Sequence, residues 1–254
     1  QYGWVAKQAR NEWTDPTIND YFKAMDWYSR RTTQITRIWD EVFENHNPER
    51  VIGVMGARAA DKQWAMRTLD YRWAEEPLTH EEYGIDALAI APYFGNYIGQ
   101  KNEDQLLAWT TTEPDRGLGK LFDEITQGGQ IVGGAAGGAL QDAYRRMASH
   151  KEIADAEGLP LIAYEAGQHL VGKDPAIVDL FRTANRDPRM GEAYEAYIQQ
   201  WNNVGGGLMV PFNLISPYSR HGSWGILESV YDEGSPKYDA ILNYIQQSTG
   251  TGSI

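Results

Sequence analysis

The chain has 254 residues, of which 42% are hydrophobic and 23% charged, and its formal charge is −12. That composition excludes a disordered chain and allows one large domain or two small ones. The acidic balance, with no Lys/Arg-rich run, argues against nucleic acid and an anionic membrane surface as partners and favours a neutral substrate. There is no cysteine, which excludes disulfides, a thiolate nucleophile and a Cys-ligated metal. No apolar run approaches the roughly 18 residues of a membrane span. No signal peptide opens the chain, and Gln1 in place of Met reads as a processed or truncated end. Nine Trp and fifteen Tyr are many for this length. Most should be core, but flat rings also stack on the apolar faces of pyranoses.

In chain order, Tyr2 to Trp13 reads as a helix. Ile18, Tyr21, Phe22, Met25, Tyr28, Ile35, Ile38 and Val42 recur at helical spacing, predicting a long amphipathic helix over 17–44. Residues 50–56 form a short apolar run read as a buried strand. Trp64 to Leu69 follows as a helix. Residues 85–94 are the second strand. Helices are expected at 103–109 and 117–126. The glycine-dense stretch 128–138 lacks a Lys-Ser/Thr pair and a regular GxGxxG after a strand, so it reads as an ordinary flexible loop rather than a phosphate cradle. A helix over 139–157 stops at Gly158, and Leu159 to Tyr164 is the third strand. Helices over 176–184 and 191–204 precede a fourth strand within 205–216, and 237–246 is a terminal helix. Alternating strands and helices with continuously apolar strands predict parallel βα units covered on both faces. With no linker or short-period repeat, the chain reads as a single module, 1–254, of four βα units.

In such folds functional groups sit at the carboxyl ends of strands. Those ends carry Arg58 after the first strand, Tyr93 after the second, Glu165, Gln168 and His169 after the third, and Asn213, Tyr218, His221 and Trp224 after the fourth. Glu165 stands out, because a carboxylate closing an apolar run is costly to bury unless something pairs with it. Tyr93 and Arg58 are the candidate partners. His46, His80 and His150 read as solvated residues of polar loops or helix ends. No HExxH or clustered His/Asp set points to a metal, and no cofactor is expected.

Tyr164, Glu165, Ala166 and Gly167 resemble the nucleophile strand of the retaining glycoside hydrolases built on (β/α)8 barrels with two catalytic glutamates, the cellulase-like clan. Ala91 to Phe94 resembles the preceding strand, where a Tyr holds the nucleophile. Phe212 to Ser216, followed by Gly222 to Gly225, resembles the last strand and its loop, where a Trp floors the sugar subsite. The resemblance covers strands five to eight. It implies an α/β fold that is the C-terminal half of a (β/α)8 barrel, completed by a second copy or by a missing N-terminal half. It also implies a β-linked carbohydrate substrate, a secreted or periplasmic setting, and Glu165 as nucleophile with Tyr93 orienting it. Trp224, His169, Gln168, Asn213, Arg58, His221 and Tyr218 become substrate-binding candidates.

Retaining hydrolysis needs a second carboxyl about 5–5.5 Å from the first. In this clan that residue follows an Asn at the end of strand four. Asn11-Glu12 is an Asn-Glu pair, but it lies in a charged helical segment, so Glu12 is a weak acid/base candidate. The expected acid/base would then fall before residue 1. Two alternatives stay open: a non-catalytic carbohydrate-binding or structural protein lacking its acid/base, and a complete compact barrel with strands not visible in the pattern.

Overall fold

The computed structural model of this protein describes residues 2–70 and 81–250; His80 lies outside them. Among the described residues the chain is α/β, with ten helices and four strands in one sheet of order β1-β2-β3-β4. Two compact units are present: residues 1–91 with 149–163, and residues 92–148 with 164–254.

The first unit holds α1 (Tyr2–Glu12), α2 (Asp20–Phe43), β1 (Val54–Gly56), α3 (Lys62–Leu69) and β2 (Ala87–Ile90). It also takes the start of β3 (Leu161–Ala166). β1 pairs parallel with β2, and β2 with β3, in the registers Met55–Leu88 and Leu88–Leu161. β2 is buried along its whole length, as an inner parallel strand should be. The Asn19 side chain caps α2 by accepting from the Phe22 N–H, and Asp61 caps α3 by accepting from the Gln63 N–H.

In the first half of α2 the expected stripe is covered in part: Met25 is buried and Tyr21, Phe22 and Tyr28 are half-buried, while Ala24 and Trp27, outside that stripe, are buried as well. In its second half the stripe turns outward. Ile35, Ile38, Trp39 and Val42 are exposed, while Thr33 and Thr36 are buried. Thr36 is accommodated because its Oγ1 donates to the carbonyl of Tyr83 at 2.8 Å. Asp26 is fully buried and receives two bonds from Arg67, at 2.8 and 2.6 Å.

The second unit contains α4 (Asn96–Gln100), α5 (Glu103–Thr112), α6 (Leu118–Thr126), most of α7 (Gly138–Ala156), the end of β3, α8 (Pro175–Arg186), α9 (Pro188–Asn203), β4 (Met209–Pro211) and α10 (Pro236–Gly250). α8 and α9 start with the same device, an Asp cap followed by Pro at the first position. The glycine-dense loop is tied to buried Glu124. That carboxylate accepts from the Tyr97 hydroxyl at 2.5 Å and from the N–H groups of Gln130 and Ile131 at 2.8 and 3.1 Å. His150 is fully buried on α7 rather than solvated, because it falls on the same helix face as buried Ala143, Met147 and Ala154; His46 is exposed as expected. β4 joins the end of β3 through the Phe212 N–H and the Ala166 carbonyl at 2.9 Å.

Candidate functional site

The frame of the site is built by two buried tyrosines one turn apart on α9. The Tyr197 hydroxyl donates to the carbonyl of Pro92 at 3.0 Å and accepts the Gly167 N–H at 3.4 Å. The Tyr194 hydroxyl accepts the Gln168 N–H at 3.2 Å. Phe94 packs against both rings, 5.8 and 5.2 Å between centroids. Backbone bonds complete the lock, from the Phe94 N–H to the Gly167 carbonyl and from the His169 N–H to the Phe94 carbonyl. Gly167 is required here: its φ is +130°, and a Cβ would meet the Tyr194 hydroxyl at 2.8 Å. The peptides after β2 and β3 are thereby fixed side by side, which places Tyr93 beside Glu165.

The Tyr93 hydroxyl donates to Glu165 Oε2 at 3.1 Å. Burial, then the Glu165 charge, raises the Tyr93 pKa, so it stays a proton donor. His169 stands 5.7 Å from the Tyr93 ring and 5.0 Å from Trp224, edge to face with both, and Tyr93 lies 5.9 Å from Trp224. Phe212 adds a further edge contact to Trp224 at 6.1 Å. Burial holds the His169 pKa below its ordinary value, so the ring is neutral at pH 7. His169 Nδ1 and Asn213 Oδ1 are buried without a hydrogen-bond partner, which marks both as polar atoms the protein itself leaves unsatisfied. The result is one half-buried carboxylate, a phenol donor, a neutral imidazole and an indole, gathered at the ends of β2, β3 and β4.

The remaining candidates fall elsewhere or serve the frame. Gln168 is buried, with Oε1 accepting from the Leu170 N–H and Nε2 donating to the Ser223 carbonyl at 2.9 Å. The Tyr218 ring is buried, with the Arg186 guanidinium 5.3 Å and Lys237 Nζ 4.6 Å from its centroid. His221 is exposed; its carbonyl accepts from Trp224 Nε1 at 2.8 Å. Arg58 is exposed in the first unit, bonded to Tyr21, which also donates to Asp61. Glu12 ends α1 and pairs with Arg30 at 3.0 Å. Among the described residues no cluster of three His, Cys, Asp or Glu gathers in one place, and no helix is long and apolar enough to cross a membrane. No protein-family model, curated protein or solved structure matches this chain.

Sequence reasoning missed Lys237, read there only as the start of the last helix. Its side chain is fully buried in the second unit. Burial pushes its ammonium down to about 7, against the opposing pull of Glu228. The unfolded value is about 10.5, so between pH 7 and 10 the unfolded chain binds the extra proton and stability rises with pH. Urea unfolding should therefore show a gain of about 2–3 kcal/mol from pH 7 to 9.5 in the wild type that is absent in Lys237→Met. Equal pH dependence in both would contradict a buried, depressed Lys237.

Proposed function

We propose that this chain is a glycoside hydrolase-like protein acting on β-linked glycans by a retaining mechanism, with Glu165 as the nucleophile. The observation that carries the reading is the Tyr93–Glu165 bond at 3.1 Å beside the His169–Trp224 pair. A carboxylate near the end of a strand, held by a phenol whose ring packs against an indole, suits attack on a sugar lying on that indole. In the first step a Glu165 oxygen bonds to the anomeric carbon as the bond to the leaving oxygen breaks. The leaving oxygen takes a proton from an acid or departs as a stable aryloxide. In the second step water attacks the same carbon, loses a proton to a base or to bulk water, and frees Glu165 as the ester C–O bond breaks. Tyr93 keeps one carboxylate oxygen oriented, and neutral His169 offers its ring to a sugar hydroxyl.

Tyr93→Phe removes a hydrogen bond to a charged group, worth about 1.5–3 kcal/mol. Hydrolysis of an aryl β-glucoside should fall roughly 10- to 100-fold in kcat/KM with Glu165 still required; an unchanged rate would remove Tyr93 from the site.

A second reading has its own support: a carbohydrate-binding protein without its acid/base. In the second unit three acids are engaged away from Glu165: Glu124 in the glycine loop, Asp187 with Arg189, and Glu228 with Arg186. Binding of cello-oligosaccharides with no turnover of any aryl glycoside would favour it.

We also propose that the four strands are half of an eight-stranded barrel. The support is β4 and its flanks, where Leu208, Val210, Phe212 and Leu214, all at alternate positions, are exposed. Parallel strands are normally covered on both faces, and an open apolar edge invites association. Light scattering should give a mass of a dimer or larger; a monodisperse monomer would contradict closure by a second copy.

A further inference from the structure

Lys237 stands where two physical rules oppose a lysine. It lies in the first turn of α10, where the helix dipole disfavours a cation. It is also fully buried, where an ammonium is expensive unless bonded. Its bonds show what offsets this. Nζ donates to Asn185 Oδ1 at 3.0 Å and to the carbonyl of Ser223 at 2.9 Å, and it faces the Tyr218 ring 4.6 Å from the centroid. Asn185 is fixed in turn, its Nδ2 donating to the Phe181 carbonyl.

The Ser223 carbonyl is the informative atom. It accepts a second bond from Gln168 Nε2 at 2.9 Å. Gln168 is the neighbour of His169, and Ser223 is the neighbour of Trp224. One buried carbonyl thus ties α10 and the segment after β3 to the residue that precedes the indole. On the other side the turn is closed by Trp224 Nε1 donating to the His221 carbonyl. Gly222 makes room, since a Cβ there would lie 2.3 Å from Trp224 Nε1. The indole is held from both ends, with His169 and Tyr93 against its faces and edges.

We propose that Lys237 is a positioning residue for Trp224: acting through the Ser223 carbonyl, it sets the indole against His169 and Tyr93 and so fixes the floor on which a sugar ring lies. The sugar part rests on the glycosidase-like reading above; the positioning part does not. The test is made on full-length protein labelled with 5-fluorotryptophan, the Trp224 resonance being assigned by its loss in Trp224→Phe. In folded Lys237→Met the Trp224 fluorine signal should shift or broaden more than the other tryptophan signals. If wild type hydrolyses an aryl β-glucoside, the same variant should raise KM about tenfold while kcat stays within about threefold. A lysine that merely stabilises the fold would lower the urea midpoint and leave the Trp224 signal and KM in place, and that result overturns the proposal. Should Lys237→Met not fold, Lys237→Gln, with a shorter N–H donor, replaces it: a displaced Trp224 signal supports the role and an unmoved one overturns it. A wild type without glucosidase activity sinks the sugar reading alone, because the fluorine signal still decides the positioning.

Discussion

Glu165→Gln is expected to lower the hydrolysis of a 2,4-dinitrophenyl β-glycoside roughly a thousandfold or more in kcat. The substitution keeps the volume and leaves an acceptor for the Tyr93 hydroxyl, so the fold and the Tyr93 contact should survive. What is lost is the anionic oxygen that bonds to the anomeric carbon. The choice of leaving group matters. A dinitrophenolate is stable enough to depart unprotonated, so the first step proceeds even where no acid/base is in place. The comparison therefore isolates the nucleophile from the missing partner. A natural disaccharide, whose leaving alkoxide needs a proton, should be cut far more slowly by the same chain. If both glycosides are cut at similar rates, a functioning acid/base is present and the engaged acids of the second unit must be reconsidered. If Glu165→Gln leaves the aryl glycoside rate unchanged, Glu165 is not the nucleophile.

Arg67→Met should destabilise the protein by about 3–5 kcal/mol. Asp26 is completely buried on α2, and the Arg67 guanidinium on α3 reaches it with two bonds while lying 4.4 Å over the Phe22 ring. Removing the cation takes two charged hydrogen bonds away from a desolvated carboxylate, and that penalty dominates the loss. A paired substitution separates the two contributions. Asp26→Leu with Arg67→Met removes both charges, and buried pairs replaced by apolar residues are often neutral in stability. The double variant should thus recover most of what the single variant loses, measured by urea unfolding. A single variant within about 0.5 kcal/mol of wild type, the usual range for surface changes, would show that the pair carries little.

The sequence pattern located the elements well where local signals are strong. Gly158 follows the end of α7 as its position suggests, whereas the caps Asn19, Asp61, Asp174 and Asp187 emerge only from the structure, and α2 starts at Asp20 rather than at 17. Strand lengths were overread. The run 50–56 yields three strand residues and 85–94 yields four, because apolar character continues past the point where hydrogen-bonded pairing ends; the fourth strand lies within 205–216 as expected. α2 shows the limit of periodicity: Ile35, Ile38 and Val42 keep the helical spacing, yet the side they mark is exposed and threonines point inward. At the site, strand-end position drew attention to Tyr93, Glu165, His169 and Trp224, which the structure brings together. It also drew in Gln168 and Tyr218, whose hydrogen bonds and packing serve the frame. Lys237 and the Tyr194–Tyr197 pair were not legible, since nothing local tells a buried amine or a bonding phenol from its surface counterpart. Their contacts are tertiary: Lys237 meets Asn185 fifty-two positions away and Tyr197 meets Pro92 at a separation of 105.

A covalent trap tests the chemistry of Glu165 most directly. A 2,4-dinitrophenyl 2-deoxy-2-fluoro-β-glycoside carries fluorine beside the anomeric carbon, which slows both steps, while its leaving group keeps the first step faster than the second. The glycosyl-enzyme should accumulate, and intact-mass spectrometry should show the protein gaining one fluorosugar. Digestion should place it on the peptide containing Glu165, and Glu165→Gln should show no gain. An unmodified protein under conditions where the aryl glycoside is turned over, or a label on any other residue, would contradict the assignment of Glu165 as nucleophile.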